Sequence, residues 1–209
     1  MIDDIYMNVS SLAVSGRRER KRRQIACHLA DTAWTLFGKH GFERVTMEHI
    51  AETADVSKVT LYKHFPVKEA LLRHHIHREL ADELPTLLAE LAKFPTVTQR
   101  LHEFFRHSAN WSVVHRDYLG PYLRFCLGEV GMQEAPERQN GLDQVFANFI
   151  SVGQLSGEFG TTENPLLLAY YLQYLHLAAL LRWVDTPGLD LNTEFERMLD
   201  LFLYGLCPK

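Results

Sequence analysis

The sequence predicts an all-α chain in two parts: a small N-terminal three-helix head followed by a larger helical body. Three observations carry that expectation. Apolar residues recur at steps of three and four along most of the 209 residues, with no sustained alternation of the kind a half-buried strand needs. Capping residues and prolines punctuate the pattern at helix-length intervals. Charge is also unevenly shared. Residues 17–68 hold 11 Lys/Arg against 6 Asp/Glu, a net of +5, and residues 69–209 hold 11 against 18, a net of −7. With two aspartates in the first 16 residues, +5 − 7 − 2 gives the overall −4. A basic head on an acidic body predicts a polyanion at one end.

Taken in order, residues 1–18 lack helical periodicity and read as a mobile arm. Residues 19–68 make the head and residues 69–209 the body. Ile25, Leu29, Ala33, Leu36 and Phe37 line one face of a first helix, which Gly41 ends. Thr46 caps a short second helix with Met47, Ile50, Ala51 and Ala54 inward. Asp55 falls where the chain must turn, and aspartate tolerates left-handed dihedrals better than most residues. Ser57 caps a third helix with Leu61 and Phe65 inward, and Pro66 stops it. A fourth helix is expected from Lys68 to about Leu84, before Pro85.

The body continues the pattern. Val97, Leu101, Phe104, Ser108 and Trp111 form one stripe; Leu142, Val145, Phe146, Phe149 and Ile150 form another. Asn164-Pro165 opens a helix with a cap and a first-turn proline. Thr193 and Glu196 read as a capping box for a last helix with Phe195, Met198, Leu199, Phe202 and Leu206 inside. Leu166 to Val184 is apolar nearly all round, more than one protomer's core accounts for, although Gln173, His176 and Arg182 argue against a membrane span. Together with the last helix it predicts a homodimer interface.

The stretch SKVTLYKHFPVKEALL, from Ser57, carries the chemistry. Two short helices joined by a three-residue turn have helix-turn-helix length and pattern. Advancing about 100° per residue puts Leu61 and Phe65 toward the core, with Val59, Thr60 and Lys63 pointing away. Lys58 and Tyr62 lie on one flank, Thr60 and His64 on the other. Outward side chains of this kind reach base edges: Lys63 suits a guanine O6/N7 edge and Val59 a thymine methyl. Flanking hydroxyl, phenol, imidazole and ammonium groups suit phosphates, as do Thr46 and Lys68 at neighbouring helix starts. A solvated polar face would explain Lys63 or Thr60 singly, but not the whole set with its caps, proline stop and charge.

From Thr35 to Leu72 the sequence resembles the DNA-binding domain of the TetR family of bacterial transcriptional regulators. Gly41-Phe42, Ile50-Ala51, Val56-Ser57, Thr60-Leu61-Tyr62, His64-Phe65, Lys68-Glu69 and Leu71 carry the likeness. Two positions depart from the pattern: Asp55 stands where a turn glycine is common, and Val67 where Ser or Asn usually caps the fourth helix. The resemblance implies phosphate contacts by Thr46, Ser57, Thr60, Tyr62, His64 and Lys68, with operator preference residing in Lys58, Val59 and Lys63. It implies a repressor that binds a pseudo-palindromic double-stranded DNA operator as a homodimer through its last two helices. A small-molecule effector then releases it.

Aromatic and polar residues interleaved in the body, namely Phe104, His107, Trp111, Tyr122, Phe125, Phe149, Tyr170 and Tyr174, predict a pocket for a lipophilic or aromatic effector. Two alternatives stay open. One is a DNA-binding regulator or architectural factor without a small-molecule effector, controlled by a protein partner. The other is an enzyme, but no G-x-S-x-G, P-loop, H-E-x-x-H or C-x-x-C occurs, so no catalytic residue and no cofactor is predicted. His74, His75 and His77 lack a cysteine or carboxylate at ligand spacing, and no metal site is predicted. Cys27, Cys126 and Cys207 lie far apart and read as free thiols in the cytoplasm. The N-terminal order, acids first and the basic run RRERKRR later, is the reverse of a secretory signal. That run, Arg17 to Arg23, is either solvated or a DNA-contacting part of the arm.

Overall fold

The computed structural model describes residues 16–128, 141–160 and 162–205. Nine α-helices and one 3-10 turn occur among the described residues, and no strand. The helices are α1 Arg17–His40, α2 Met47–Thr53, α3 Lys58–His64, α4 Lys68–Leu91 and α5 Val97–Val114, then α6 Arg116–Gly128, α7 Leu142–Leu155, α8 Pro165–Asp185 and α9 Leu191–Tyr204. The chain divides into two compact units, Met1–His75 and Ile76–Lys209. The division falls inside α4, seven residues beyond the Lys68/Glu69 boundary that the end of the head predicts.

In the first unit, α1 packs on α2 and on the 3-10 turn Phe42–Arg44, and α2 packs on α3. Leu29, Ala33, Leu36, Phe37, Ile50 and Leu61 are buried, as their spacing predicts, while Ile25 is only half-buried. Phe37 and Phe42 stack obliquely at 4.9 Å and close the end of α1, where Gly41 takes a positive φ of 79°. Residues 1–15 of the predicted arm lie outside the described residues. Arg17 and Arg18, assigned to the arm, belong to α1 instead, which extends more than three turns N-terminal to Leu29, its first buried residue.

The second unit is a layered helical bundle. Helices α7 and α8 form an antiparallel pair, α9 lies on α5 and α8, and α6 packs on α8. The centre is aromatic: Phe105 stacks on Phe146 at 5.7 Å, Phe104 meets Phe146 edge-on at 5.1 Å, and Phe195 completes the group 5.4 Å from Phe105. Each fully buried ring contributes about 2–3 kcal/mol of transfer free energy.

The start of α5 shows how a distant residue completes a helix end. Thr96 Oγ1 accepts the Gln99 amide at 3.2 Å, and the two Glu158 carboxylate oxygens accept the Val97 and Thr98 amides at 2.8 and 2.7 Å. Three otherwise orphan donors are thereby satisfied. Burial pushes the Glu158 carboxyl up, but Thr98, Val97 and the Arg100 charge outweigh it and hold it below the ordinary value. Gly153 makes the approach possible, since a Cβ there would meet the Phe159 ring at 2.3 Å.

Two local expectations fail. The fourth helix does not stop before Pro85 but runs to Leu91 with the proline inside. The missing amide costs about 3 kcal/mol, which strong helix formers on both sides and the burial of Leu91 offset. The last helix is capped by Asp190, whose Oδ2 accepts the Thr193 amide at 2.7 Å, so Thr193 is a residue of α9 and not its cap. Phe195, Met198 and Leu199 are buried and Phe202 half-buried, as predicted. Leu206 and Cys207 lie outside the described residues.

Candidate nucleic-acid interface

The helix-turn-helix is assembled from short-range contacts. Thr46 Oγ1 accepts the His49 amide at 3.2 Å and starts α2. The Ala54 amide bonds Ile50 O at 2.9 Å, and the Val56 amide reaches back to Ala51 O at 3.0 Å. Between them Asp55 adopts φ 53°, the left-handed conformation its position predicts. Ser57 Oγ accepts the Thr60 amide at 3.1 Å and lies 2.8 Å from the Thr60 hydroxyl, fixing the first turn of α3. From α1, His28 Nε2 donates to Ala54 O at 3.2 Å and ties the turn to the rest of the head.

This frame divides α3 into two faces. Leu61 is fully buried and Phe65 nearly so. Val59 is 79% exposed, Tyr62 45%, and Lys58 and Lys63 are exposed. Thr60 and His64 are half-buried at the margins. Lys58 Nζ stands 3.6 Å from Glu48 Oε1 on α2, a pair more than half exposed and worth at most about 1 kcal/mol. Burial, then the Arg22 charge, then Lys63 lower the His64 pKa, so its ring is neutral at pH 7.

Lys68 has a second duty that its position in the sequence does not reveal. Its Nζ donates to Phe42 O at 2.9 Å, lies 4.3 Å above the centre of the Phe42 ring and is 3.7 Å from the Glu43 carboxylate. Its side chain is only 20% exposed. The ammonium group staples the start of α4 to the 3-10 turn, and a phosphate there would share it with Phe42. The sequence also gives no sign of Glu48, Arg22 and His28 as neighbours of the interface, since their partners lie too far along the chain for periodicity to reveal them.

The residues predicted to line an effector pocket do not gather at one place. Phe104 and Phe149 belong to the packed core. Tyr170 is exposed near the start of α8, and its hydroxyl bonds that of Tyr174 at 2.9 Å. His107 faces Glu90 at 3.8 Å near the surface, and Phe125 is half-buried on α6. Trp111 and Tyr122 do meet polar groups, each at its own place, around residues of α4. His77 Nε2 bonds the Tyr122 hydroxyl at 3.0 Å, and His115 stacks on Trp111 at 4.1 Å. His115 Nδ1 donates to Trp111 O at 2.8 Å, leaving Nε2 to face Glu79 Oε1 at 3.7 Å. The Trp111 indole N–H and Glu79 Oε2 are buried without a hydrogen-bond partner. A separate cleft of about 320 Å³ between α5 and α9 is lined by Glu103, Arg106, Asn110 and Asn192 among others, and by none of the predicted effector residues.

The neighbouring histidines of α4 go separate ways. His74 Nε2 lies 4.0 Å from Cys27 Sγ, His75 stacks on Trp34 and bonds Asp31 at 3.2 Å, and His77 faces Tyr122. No helix among the described residues is long and apolar enough to cross a membrane.

Residues 29–74, which include the whole helix-turn-helix, match the family model of bacterial regulatory proteins, tetR family. Over 205 residues the chain is 37% identical to the HTH-type transcriptional repressor KstR of Mycolicibacterium smegmatis, spanning 96% of this chain and 93% of that protein. The chain belongs to the TetR family. The KstR repressor of Mycobacterium tuberculosis is 36% identical over 195 residues, covering 92% of this chain and 82% of the relative. Among solved structures, Thermus thermophilus FadR, a TetR-family transcriptional repressor in complex with lauroyl-CoA, superposes with a TM-score of 0.75 at 25% identity, covering 88% of this chain and 96% of that one. This TetR-family member is therefore a DNA-binding transcriptional repressor, built as the sequence predicts from an N-terminal helix-turn-helix unit and a larger helical body.

Proposed function

We propose that the protein works in the cytoplasm as a homodimer, placing two copies of α3 in successive major grooves of a pseudo-palindromic operator. The observation that carries this reading is the division of α3: Val59, Tyr62 and Lys63 face outward while Leu61 and Phe65 anchor the helix. Lys58, Val59 and Lys63 read base edges, the first after releasing Glu48. Thr46, Ser57, Thr60, Tyr62, His64 and Lys68 hold phosphates. Thr46 and Ser57 can do so while capping, since each hydroxyl oxygen accepts an amide and keeps its own O–H to donate.

Dimerisation uses α8 and α9, which expose the large apolar side chains Leu166, Leu167, Tyr170, Tyr171 and Leu201, a patch whose burial between two copies water favours. The protein acts by binding, with no turnover. The effector is lipophilic and reaches the group of Trp111, His115 and Glu79. There it gives an acceptor to the indole N–H and a donor to the Glu79 carboxylate, which disfavours an anionic group at that end. It releases DNA only through a difference in affinity between two conformers, so operator and effector oppose each other reciprocally. Helix α4 belongs to both units and is the covalent link for that coupling.

The test is footprinting on DNA upstream of the protein's own gene, with and without a panel of lipophilic compounds including long-chain acyl-CoAs. Two protected half-sites about one helical turn apart are expected, lost on adding the active compound. Protection that Lys63→Ala and Tyr62→Ala leave untouched would refute the interface.

A further inference from the structure

The cleft between α5 and α9 holds polar groups that the fold leaves unused. Its volume of about 320 Å³ falls at the lower end of the about 300–1,000 Å³ typical of small-molecule sites. Helix α5 supplies His102, Glu103, Arg106 and Asn110 to one wall, and α9 supplies Asn192 and Glu196 to the other. Phe105, Phe195 and Leu199, each at most 2% exposed, make an apolar floor.

The wall charges do not balance. Arg106 is taken up by Glu103, whose Oε2 accepts Nε at 2.7 Å and Nη2 at 2.5 Å, so the guanidinium of the cleft is already neutralised. The Glu196 carboxylate is left over. Thr193 and Glu196 have the spacing of a capping box, but Asp190 takes the Thr193 amide, and Glu196 has no ionic or hydrogen-bonding partner among the described residues. Glu196 also lies beyond the first turn of α9, the part of a helix where the dipole stabilises a carboxylate. The side-chain amides of Asn110 and Asn192 are likewise without a partner among the described residues. A carboxylate and two amide oxygens are therefore three unused acceptors in one recess. Glu103, Arg106 and Glu196 sum to −1, in a body whose residues 69–209 carry a net −7. Such a field concentrates cations and opposes anions.

We propose that this cleft is a binding site for a small primary ammonium compound, its charged end against Glu196 and its carbon chain over Phe105, Phe195 and Leu199. An ammonium group carries three N–H donors, which match Glu196 and the Asn110 and Asn192 carbonyl oxygens in number and kind. A quaternary ammonium has the charge but no donor, and a carboxylate has the wrong sign. The site is distinct from the effector group at Trp111, and it does not depend on the helix-turn-helix reading. At about 100° per residue, Trp111 lies about 140° round α5 from Arg106, and Leu201 about 140° round α9 from Glu196. A second copy docked on Leu201 therefore leaves the cleft open. An occupant braces α5 against α9 over two rings, Phe105 and Phe195, that also flank His176 in the core.

The test uses the full chain with n-butylamine as the probe, at pH 7 and physiological salt. Titration calorimetry is expected to show saturable binding of one amine per chain. The side-chain amide NMR signals of Asn110 and Asn192, assigned from their alanine variants, are expected to shift with the same midpoint. Glu196→Gln keeps the shape but removes the charge, and should weaken binding about tenfold or more, the loss of one charge-assisted hydrogen bond. Asp200→Asn removes an equal charge from the exposed face of α9 outside the cleft, and should leave affinity within about twofold because salt screens it. Tetramethylammonium and butyrate are expected not to displace the amine. Absence of saturable binding to the wild-type protein overturns the proposal. So does an Asp200→Asn loss equal to that of Glu196→Gln, or displacement by tetramethylammonium, since either reduces the effect to the negative field of the whole body. None of these readouts involves DNA, so their failure leaves the helix-turn-helix reading standing.

Discussion

His176 gives the body of the protein a pH dependence that can be worked out in advance. The ring is buried, its Nε2 is 3.0 Å from Ser108 Oγ, and Phe195 and Phe105 stand 5.1 and 5.3 Å away. Burial lowers its pKa from an ordinary 6.5 to about 4. The folded state holds the neutral ring, while the unfolded chain takes up a proton below about 6.5. Stability is therefore full above that value and falls as pH drops, levelling only near pH 4, where the folded ring also protonates. Between those limits each step of one in pH removes about 1.36 kcal/mol, so acidifying from pH 7 to pH 5 removes about 2 kcal/mol. A domain of this size loses about 2–4 °C in Tm per kcal/mol, so a fall of about 4–8 °C is expected by calorimetry. His176→Gln keeps a hydrogen-bonding partner for Ser108 but does not titrate, and should lack that share of the acid loss. A variant whose Tm falls over the same range as steeply as the wild type would refute the assignment to His176.

Other substitutions separate reading from holding. Lys68→Ala should weaken binding to every duplex and also cost about 1–3 kcal/mol of stability, through the lost Phe42 carbonyl bond and ring contact. Lys63→Ala should leave stability within about 0.5 kcal/mol and relax preference at one base position per half-site; an unchanged melting point for Lys68→Ala would remove the staple. Asp55→Gly relieves a left-handed dihedral at φ 53° and should raise denaturant stability by up to about 1 kcal/mol, whereas a loss would show that the Asp55 side chain has a partner of its own. Glu158→Ala strips the carboxylate from two α5 amides and should cost about 1 kcal/mol, seen as faster amide exchange at Val97 and Thr98.

Features whose partners lie within a few residues could be read directly from the chain. Thr46 and Ser57 cap their helices, Asp55 turns left-handed, Asn164 precedes Pro165, and Leu61 and Phe65 face inward because local bonds and a 3.6-residue period settle each of them. Where two local rules compete, sequence alone cannot rank them. Thr193 and Asp190 are both sound caps, and the path by which the chain enters α9 selected Asp190. Pro85 signals a stop, but packing along α4 outweighs its missing amide. Contacts formed across the fold were decided by tertiary structure only: Lys68 on Phe42 from 26 residues away, Glu158 on Thr98 from 60, and His176 on Ser108 from 68. The aromatic residues of the body make the same point, since periodicity assigns each to a face of its own helix but cannot say which faces meet. Packing sent Phe104 and Phe149 to the core, Tyr170 to the surface and Trp111 to the side of His115, which faces Glu79 of α4.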